Sequence, residues 1–137
     1  MEAIETFFRD FEKYTNQNDA DRLTSLYADT FMTADPSGAR FVQATDLRAF
    51  IPKRKQLFAT LGYRSTTLVS VHQTKLDDRY VLVRTEWVLH FDRDQIALPS
   101  TYIVQVSGEV LKIVFYLNHE NIMTVLRDRG LLPAEKP

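Results

Sequence analysis

The stretch "TFMTADPSGARF", residues 30–41, ends a short apolar run with a carboxylate in a turn, Asp35-Pro36-Ser37-Gly38. A carboxylate fixed at the end of a strand can act as a general base if burial among aromatic side chains raises its pKa. The same residue types also form ordinary Asx turns, in which the carboxylate accepts bonds from backbone N–H groups. We expect Asp35 to line a cavity, and the sequence leaves both interpretations open.

His119 is the second candidate for proton chemistry. It follows the apolar run 109–118, and we expect its ring to point inward at the rim of the cavity. An imidazole there could exchange protons or bind a polar group of a ligand. The alternative is that His119 only helps to begin the following helix.

Three aromatic residues that carry a hydrogen-bond donor are candidates for contact with a ligand: Tyr14, Trp87 and Tyr102. A buried tyrosine or tryptophan normally needs a partner for its O–H or N–H. They either line a pocket or are core aromatics with satisfied donors. We also assign Phe115 and His119 to the ligand-binding set.

Composition excludes several classes of function. The 137 residues include 17 basic and 18 acidic side chains and no cysteine. This balance gives no electrostatic reason to expect nucleic acid as a partner. Disulfides and thiolate metal sites are excluded, and the three histidines are too far apart in sequence to predict a metal site. We expect no cofactor, no membrane segment and a cytoplasmic protein.

The elements that must position these residues begin with helices. Apolar residues at helical spacing predict a helix over residues 2–16, and "NQNDAD" supplies cap residues for a short second helix. "TFMTA" predicts a short strand that ends at Asp35, and "RFVQA" is a candidate for another. Thr45 is predicted to cap a third helix that ends at Gly62, with a kink or a restart at Pro52.

From residue 63 the apolar period changes to two. Four runs, 63–76, 79–91, 95–107 and 109–118, are separated by very short connections, which predicts an antiparallel four-stranded meander. A turn at Arg93-Asp94 would pair Thr85 with Tyr102 and Trp87 with Ser100. A turn at Ser107-Gly108 would pair Tyr102 with Ile113 and Ile96 with His119. A final helix is predicted over "ENIMTVLRDRG".

This order of elements resembles the nuclear transport factor 2-like superfamily, and within it the SnoaL-like proteins. The resemblance is carried by "NDADRLTSLYADTFMTADPSG", "VRTEWVLHF" and "LKIVFYLNHEN". It implies a cystatin-like α+β fold: a cone-shaped barrel in which a long, curved, mainly antiparallel sheet wraps around N-terminal helices. A single domain would then cover residues 1–132, followed by a loose tail at 133–137.

The resemblance extends to the steroid delta-isomerases, whose catalytic base lies in a context similar to Asp35-Pro36-Ser37-Gly38. The rest of that site is missing from this sequence. The first-helix tyrosine of that family falls at or near Phe11, which has no hydroxyl, and the run "QIALPSTYIVQVSG" contains no acid. The resemblance therefore implies the position of the base alone.

We predict a SnoaL-like small-molecule pocket protein, either a cofactor-free enzyme of the isomerase or hydrolase type or a carrier. Asp35 would be the base, and Tyr102 or His119 would stabilise developing charge on an apolar or partly polar ligand. The alternative is a non-enzymatic assembly or adaptor domain with a solidly packed interior. An open, polar-tipped cavity would favour the first hypothesis.

The outer face of the meander is too apolar for full exposure to water. It predicts a homodimer through that face. The residues assigned to it are Leu82, Val88, Ile103, Val114 and Tyr116.

Overall fold

The computed structural model describes residues 2–132. The predicted tail at 133–137 lies outside the described residues. In chain order the elements are α1 (Glu2–Gln17), α2 (Ala20–Ser25), β1 (Tyr27–Asp35), β2 (Gly38–Gln43), α3 (Ala44–Thr60), β3 (Tyr63–Lys75), β4 (Tyr80–Phe91), β5 (Gln95–Ser107), β6 (Val110–Asn118) and α4 (Ile122–Asp128).

The helices largely follow the sequence pattern. On α1 the apolar face buries Ile4, Phe7 and Phe8, as the helical spacing predicted. The short helix α2 is capped by Asp19, whose side chain accepts a bond from the backbone N–H of the third residue after it. None of the helices in the described part of the chain is long and apolar enough to cross a membrane.

The predicted cap of α3 was wrong, and the restart considered at Pro52 does not occur. The helix begins at Ala44, so Gln43 occupies the cap position and Thr45 lies inside the first turn. The Gln43 side chain makes no capping hydrogen bond. The helix also continues through Pro52 without a restart. Since proline removes only one backbone N–H, the flanking turns can hold the helix together.

All six strands belong to one curved, mainly antiparallel sheet in the order β2-β1-β6-β5-β4-β3. The predicted meander of β3 to β6 is confirmed, and β1 joins it by parallel pairing with β6. The hairpin of β1 and β2 turns at Pro36-Ser37, between the paired residues Asp35 and Gly38. Because β2 and β3 are separate edges, the sheet stays open and does not close into a barrel.

The predicted register of β4 against β5 was wrong by two residues. Thr85 pairs with Ser100, and Trp87 pairs with Leu98. The register places the turn at Asp92-Arg93, one residue earlier than expected. A shift of two residues preserves the side-chain faces, so Trp87 and Tyr102 still point inward.

A bulge in β6 changes the faces of the last strand. Val104 pairs with Ile113 but Ile103 pairs with Phe115, so Val114 is an extra residue on β6. One inserted residue reverses every later side chain. Tyr116 therefore faces the interior, and the predictions that it lies outside and that Phe115 lies inside were both wrong.

The edge strand β3 is covered by side chains of α1. The Glu12 carboxylate accepts a bond from the Leu68 N–H, and the Asn16 amide bonds both the N–H and the C=O of Thr66, each at 2.8 Å. The Arg9 guanidinium donates to the Leu68 carbonyl at 2.9 Å. These bonds satisfy backbone groups that an edge strand leaves unpaired.

Candidate functional site

A cavity of about 600 Å³ lies between the inner face of the sheet and α3. Aromatic rings from α1 and from four strands form much of its wall. These are Phe11, Tyr27, Phe31, Trp87, Tyr102 and Tyr116. The interior is therefore open, which agrees with the pocket alternative and not with a solidly packed domain.

The rings of the wall support one another. Phe11 lies 5.2 Å from Trp87 and 6.0 Å from Tyr102 between ring centroids. Tyr27 packs against Phe31 at 4.7 Å. Tilted and edge-on contacts at these distances are favourable and hold each ring in one orientation. A ligand would meet a preformed surface.

Two buried phenols supply donors to the cavity. Burial raises the pKa of Tyr27 well above its ordinary value, and the nearby phenols of Tyr102 and Tyr116 raise it further. Burial likewise raises the pKa of Tyr102. Both hydroxyls therefore stay protonated at neutral pH and can donate to an acceptor atom of a ligand.

Trp87 contributes a donor that the described protein does not use. Its indole Nε1 is buried and has no hydrogen-bond partner among residues 2–132. The indole N–H lies close enough to the Tyr102 hydroxyl to offset part of the burial effect on the pKa of that phenol, but not in hydrogen-bond geometry. A buried N–H without a partner costs roughly 1–3 kcal/mol, so a ligand oxygen here would be stabilised.

One polar pair completes the sheet side of the cavity. The Ser100 hydroxyl donates to the Asn118 side-chain oxygen at 2.9 Å. Asn118 reaches this position because the β6 bulge turned it inward. Its amide N–H₂ group is a further donor on the wall.

A second cavity, of about 670 Å³, adjoins the first near the β1–β2 turn and the start of α4. The two share residues of α3, β5 and β6, including Phe50, Lys53, Arg54, Leu98 and Tyr116. We call the border shared by the two cavities the mouth. Basic side chains lie there, whereas the floor of the inner cavity consists of aromatic rings.

Asp35 lies in the wall of the second cavity and not of the first. Its carboxylate accepts bonds from the Ser37 N–H, at 2.8 Å, and from the Ser37 hydroxyl. These bonds lower the pKa of Asp35, contrary to the expected rise. The arrangement is the Asx turn left open by the sequence, and a carboxylate with a lowered pKa is a weak base.

His119 is exposed on the outside of the sheet, where its ring bonds the Thr101 hydroxyl at 2.7 Å. The predicted pairings of Ile96 with His119 and of Tyr102 with Ile113 were wrong, because the turn lies one residue later, at Gly108-Glu109, and the bulge adds a further residue. The inward direction of His119 was also wrong, because the bulge reverses the faces of β6. Tyr14 lies outside the cavity walls and carries the Arg22 guanidinium over its ring at 5.7 Å.

Of the predicted ligand-contacting residues, the structure brings Trp87 and Tyr102 together in the cavity. It adds Tyr27, Arg54, Tyr116 and Asn118, which sequence reasoning did not select. Tyr27 begins β1, shortly after the end of α2. Among residues 2–132 there is no group of three histidine or acidic side chains that could hold a metal ion.

A family model described as "NTF2-like protein (DUF6841)" matches residues 1–121. The chain belongs to this family of NTF2-like proteins. The family description carries no activity, and no curated protein matches the sequence.

Solved structures share the fold at low sequence identity. An NTF2-like protein of unknown function from Shewanella oneidensis MR-1 is 16% identical, with a TM-score of 0.74, over 87% of this chain and 98% of the other. An NTF2-like protein with a cystatin-like fold from Novosphingobium aromaticivorans is 15% identical, with a TM-score of 0.71, over 97% and 88%. A protein from the same species, provisionally assigned as a scytalone dehydratase, is 11% identical, with a TM-score of 0.66, over 86% and 81%.

Proposed function

We propose that this NTF2-like protein binds a small, mainly apolar ring compound in the inner cavity and holds one oxygen atom of it by hydrogen bonds. The observation that carries the proposal is the buried Trp87 N–H, which has no partner among the described residues and belongs to a side chain that lines the cavity together with Tyr102. Buried polar groups normally have partners. A ligand acceptor would supply the missing one.

The chemistry of the donors narrows the ligand. Tyr27 and Tyr102 are neutral donors in a wall made largely of aromatic rings. Buried neutral donors favour a carbonyl, ether or hydroxyl oxygen over a cationic group. The flat rings around them suit an aromatic or alicyclic body.

The geometry supports binding or carriage better than proton abstraction by Asp35. That carboxylate is already bonded to Ser37 and borders the second cavity. The catalytic roles predicted for Asp35 and His119 remain predictions, and the binding proposal depends on neither of them.

We also propose that two copies pair through the outer face of the sheet. Register aligns one apolar residue from each of five strands into a continuous row across that face. The row consists of Phe41, Met32, Phe115, Ile103 and Leu82. Phe41 is 73% exposed, and covering such a row removes apolar surface from water.

The test uses N-phenyl-1-naphthylamine, an uncharged ring compound that absorbs where tryptophan emits. Trp87 is the only tryptophan of the chain, so quenching of its emission reports probe bound to the protein, and variants on the two faces of the sheet locate it. We expect saturable binding. Leu98→Phe should weaken it by roughly tenfold, or about 1.4 kcal/mol, because the larger side chain extends into the space that the probe fills.

Ile103→Thr is the matched control, since it removes apolar surface from the outer row and leaves the cavity unchanged. Binding that is unaffected by Leu98→Phe and weakened by Ile103→Thr would contradict the proposal. Absence of any saturable binding would contradict it as well.

A further inference from the structure

The mouth shared by the two cavities carries three basic side chains: Arg40 from β2, and Lys53 and Arg54 from α3. Of the three, Arg54 is the half-buried one. Its guanidinium lies over the Phe58 ring at 4.8 Å, which fixes the alkyl chain and directs the charge along the cavity wall.

Arg54 lacks the carboxylate partner that several arginines on the surface have. Five other arginines lie within 4.0 Å of a carboxylate, at Glu5, Asp19, Asp21, Asp92 and Asp94. The half-buried Lys112 donates to a backbone carbonyl. No carboxylate lies within ion-pair distance of Arg54 among residues 2–132.

The acidic groups of the walls do not neutralise Arg54. Asp35 is engaged with Ser37 at the hairpin turn. Asp46 precedes Arg54 by eight residues on the same helix, or about 12 Å along its axis at 1.5 Å per residue. A half-buried guanidinium without a counter-charge loses hydration that the Phe58 ring repays only in part.

The charge of Arg54 reaches the floor of the inner cavity. It acts on both buried phenols and lowers the pKa of Tyr27 and of Tyr102, against the larger effect of burial. Arg54, Trp87 and Tyr102 line the same cavity, so one ligand can contact the two aromatic side chains with its body and the guanidinium with a substituent.

We infer that Arg54 selects ligands that carry an oxyanion, so that the natural ligand is a ring compound with a carboxylate or a similar acidic group. The inference rests on the proposed binding function and adds the charge of the ligand. A guanidinium bonds a planar carboxylate through two parallel N–H groups, which gives both affinity and orientation. Lys53 and Arg40 add positive charge at the entrance.

The test compares two probes of the same ring skeleton. 8-Anilinonaphthalene-1-sulfonate carries an acidic oxyanion, and N-phenyl-1-naphthylamine does not. We expect Arg54→Met to weaken binding of the sulfonate by roughly tenfold, or about 1.4 kcal/mol, and to change binding of the uncharged probe less than twofold. Methionine keeps an unbranched side chain against Phe58. Arg54→Lys should recover part of the affinity.

Lys55→Met is the control, because it removes an exposed charge from the next position of α3, outside both cavity walls. Equal losses for both probes in Arg54→Met, or no loss for either, would overturn the role of Arg54 while binding of the uncharged probe still supports the cavity. The inference also fails if the uncharged probe binds and the sulfonate does not. If neither binds the unmodified protein, the proposed function fails and the inference fails with it.

Discussion

At the scale of single residues, the proposed binding site depends on phenols that stay protonated inside the cavity. Tyr27 and Tyr102 both have a pKa raised by burial. Raising the pKa above its unfolded value, near 10, means that the unfolded chain loses these protons first. Their contribution to stability is therefore complete below pH 10 and decreases as the pH rises above it.

The corresponding prediction concerns alkaline titration, followed by the ultraviolet absorbance of tyrosinate and by circular dichroism. We expect a late phase of phenol ionisation that coincides with unfolding. Tyr27→Phe and Tyr102→Phe should each reduce the amplitude of that phase by one phenol. If every phenol ionises before the protein unfolds, the two hydroxyls are not buried as described.

Asp35 gives a second prediction at this scale. Asn keeps the Oδ1 acceptor that Ser37 uses, so Asp35→Asn should change the free energy of unfolding in urea by less than about 1 kcal/mol. Binding of N-phenyl-1-naphthylamine should not change. Asp35→Ala removes the acceptor and should cost more stability than the Asn variant. A loss of probe binding in Asp35→Asn at unchanged stability would show that Asp35 takes part in ligand binding.

Asp35 also shows what the sequence could predict. Its position at the end of a strand was predicted correctly, and both of its possible roles, general base and Asx turn, were considered. The choice between them depended on where the Ser37 hydroxyl lies, which spacing does not reveal. Trp87 and Tyr102 were predictable because regular alternation over β4 and β5 determines their faces, even with the register wrong by two.

At the scale of elements, the sequence failed at β6 for a physical reason. The run from Leu111 to Leu117 is apolar on both alternating sets, so its pattern does not distinguish the two faces or reveal the extra residue at Val114. Because of this single inserted residue, Tyr116 and Asn118 line the cavity in place of the predicted Phe115 and His119. The helices and the meander were predictable because their periodic patterns extend over many residues and are unambiguous.

The hydrogen bonds from α1 to the edge strand β3 give a testable prediction about the stability of the protein. Asn16→Ala removes both bonds to the backbone of Thr66 and should destabilise the protein by about 1–2 kcal/mol in urea unfolding, although alanine favours the helix itself. Gln17→Ala is the control, since its exposed side chain points to another side of α1. Equal effects of the two variants would show that the Asn16 bonds contribute nothing to stability.

At the scale of the whole molecule, the open sheet presents two different faces. The inner face holds the cavity, and the outer face holds the apolar row from Phe41 to Leu82. Burying several such side chains contributes several kcal/mol, at about 25 cal/mol per Å², before the cost of association. The proposed ligand binding and the proposed self-association therefore use opposite sides of one sheet.

The dimer is testable by light scattering at micromolar concentration. We expect the mass of two chains for the unmodified protein and of one chain for Ile103→Glu, because the charge falls within the outer row. Val69→Glu, at a 57% exposed position of β3, should leave the dimer intact. A monomer in the unmodified protein would contradict pairing through this face.

The central claim, that the cavity binds an acidic ring compound, is tested most directly by a crystal structure with 8-anilinonaphthalene-1-sulfonate. We expect the rings of the probe between Trp87 and Tyr102 in the inner cavity, with the sulfonate bonded to the guanidinium of Arg54. A probe that lies on the outer row, with nothing bound in the inner cavity, would contradict the claim.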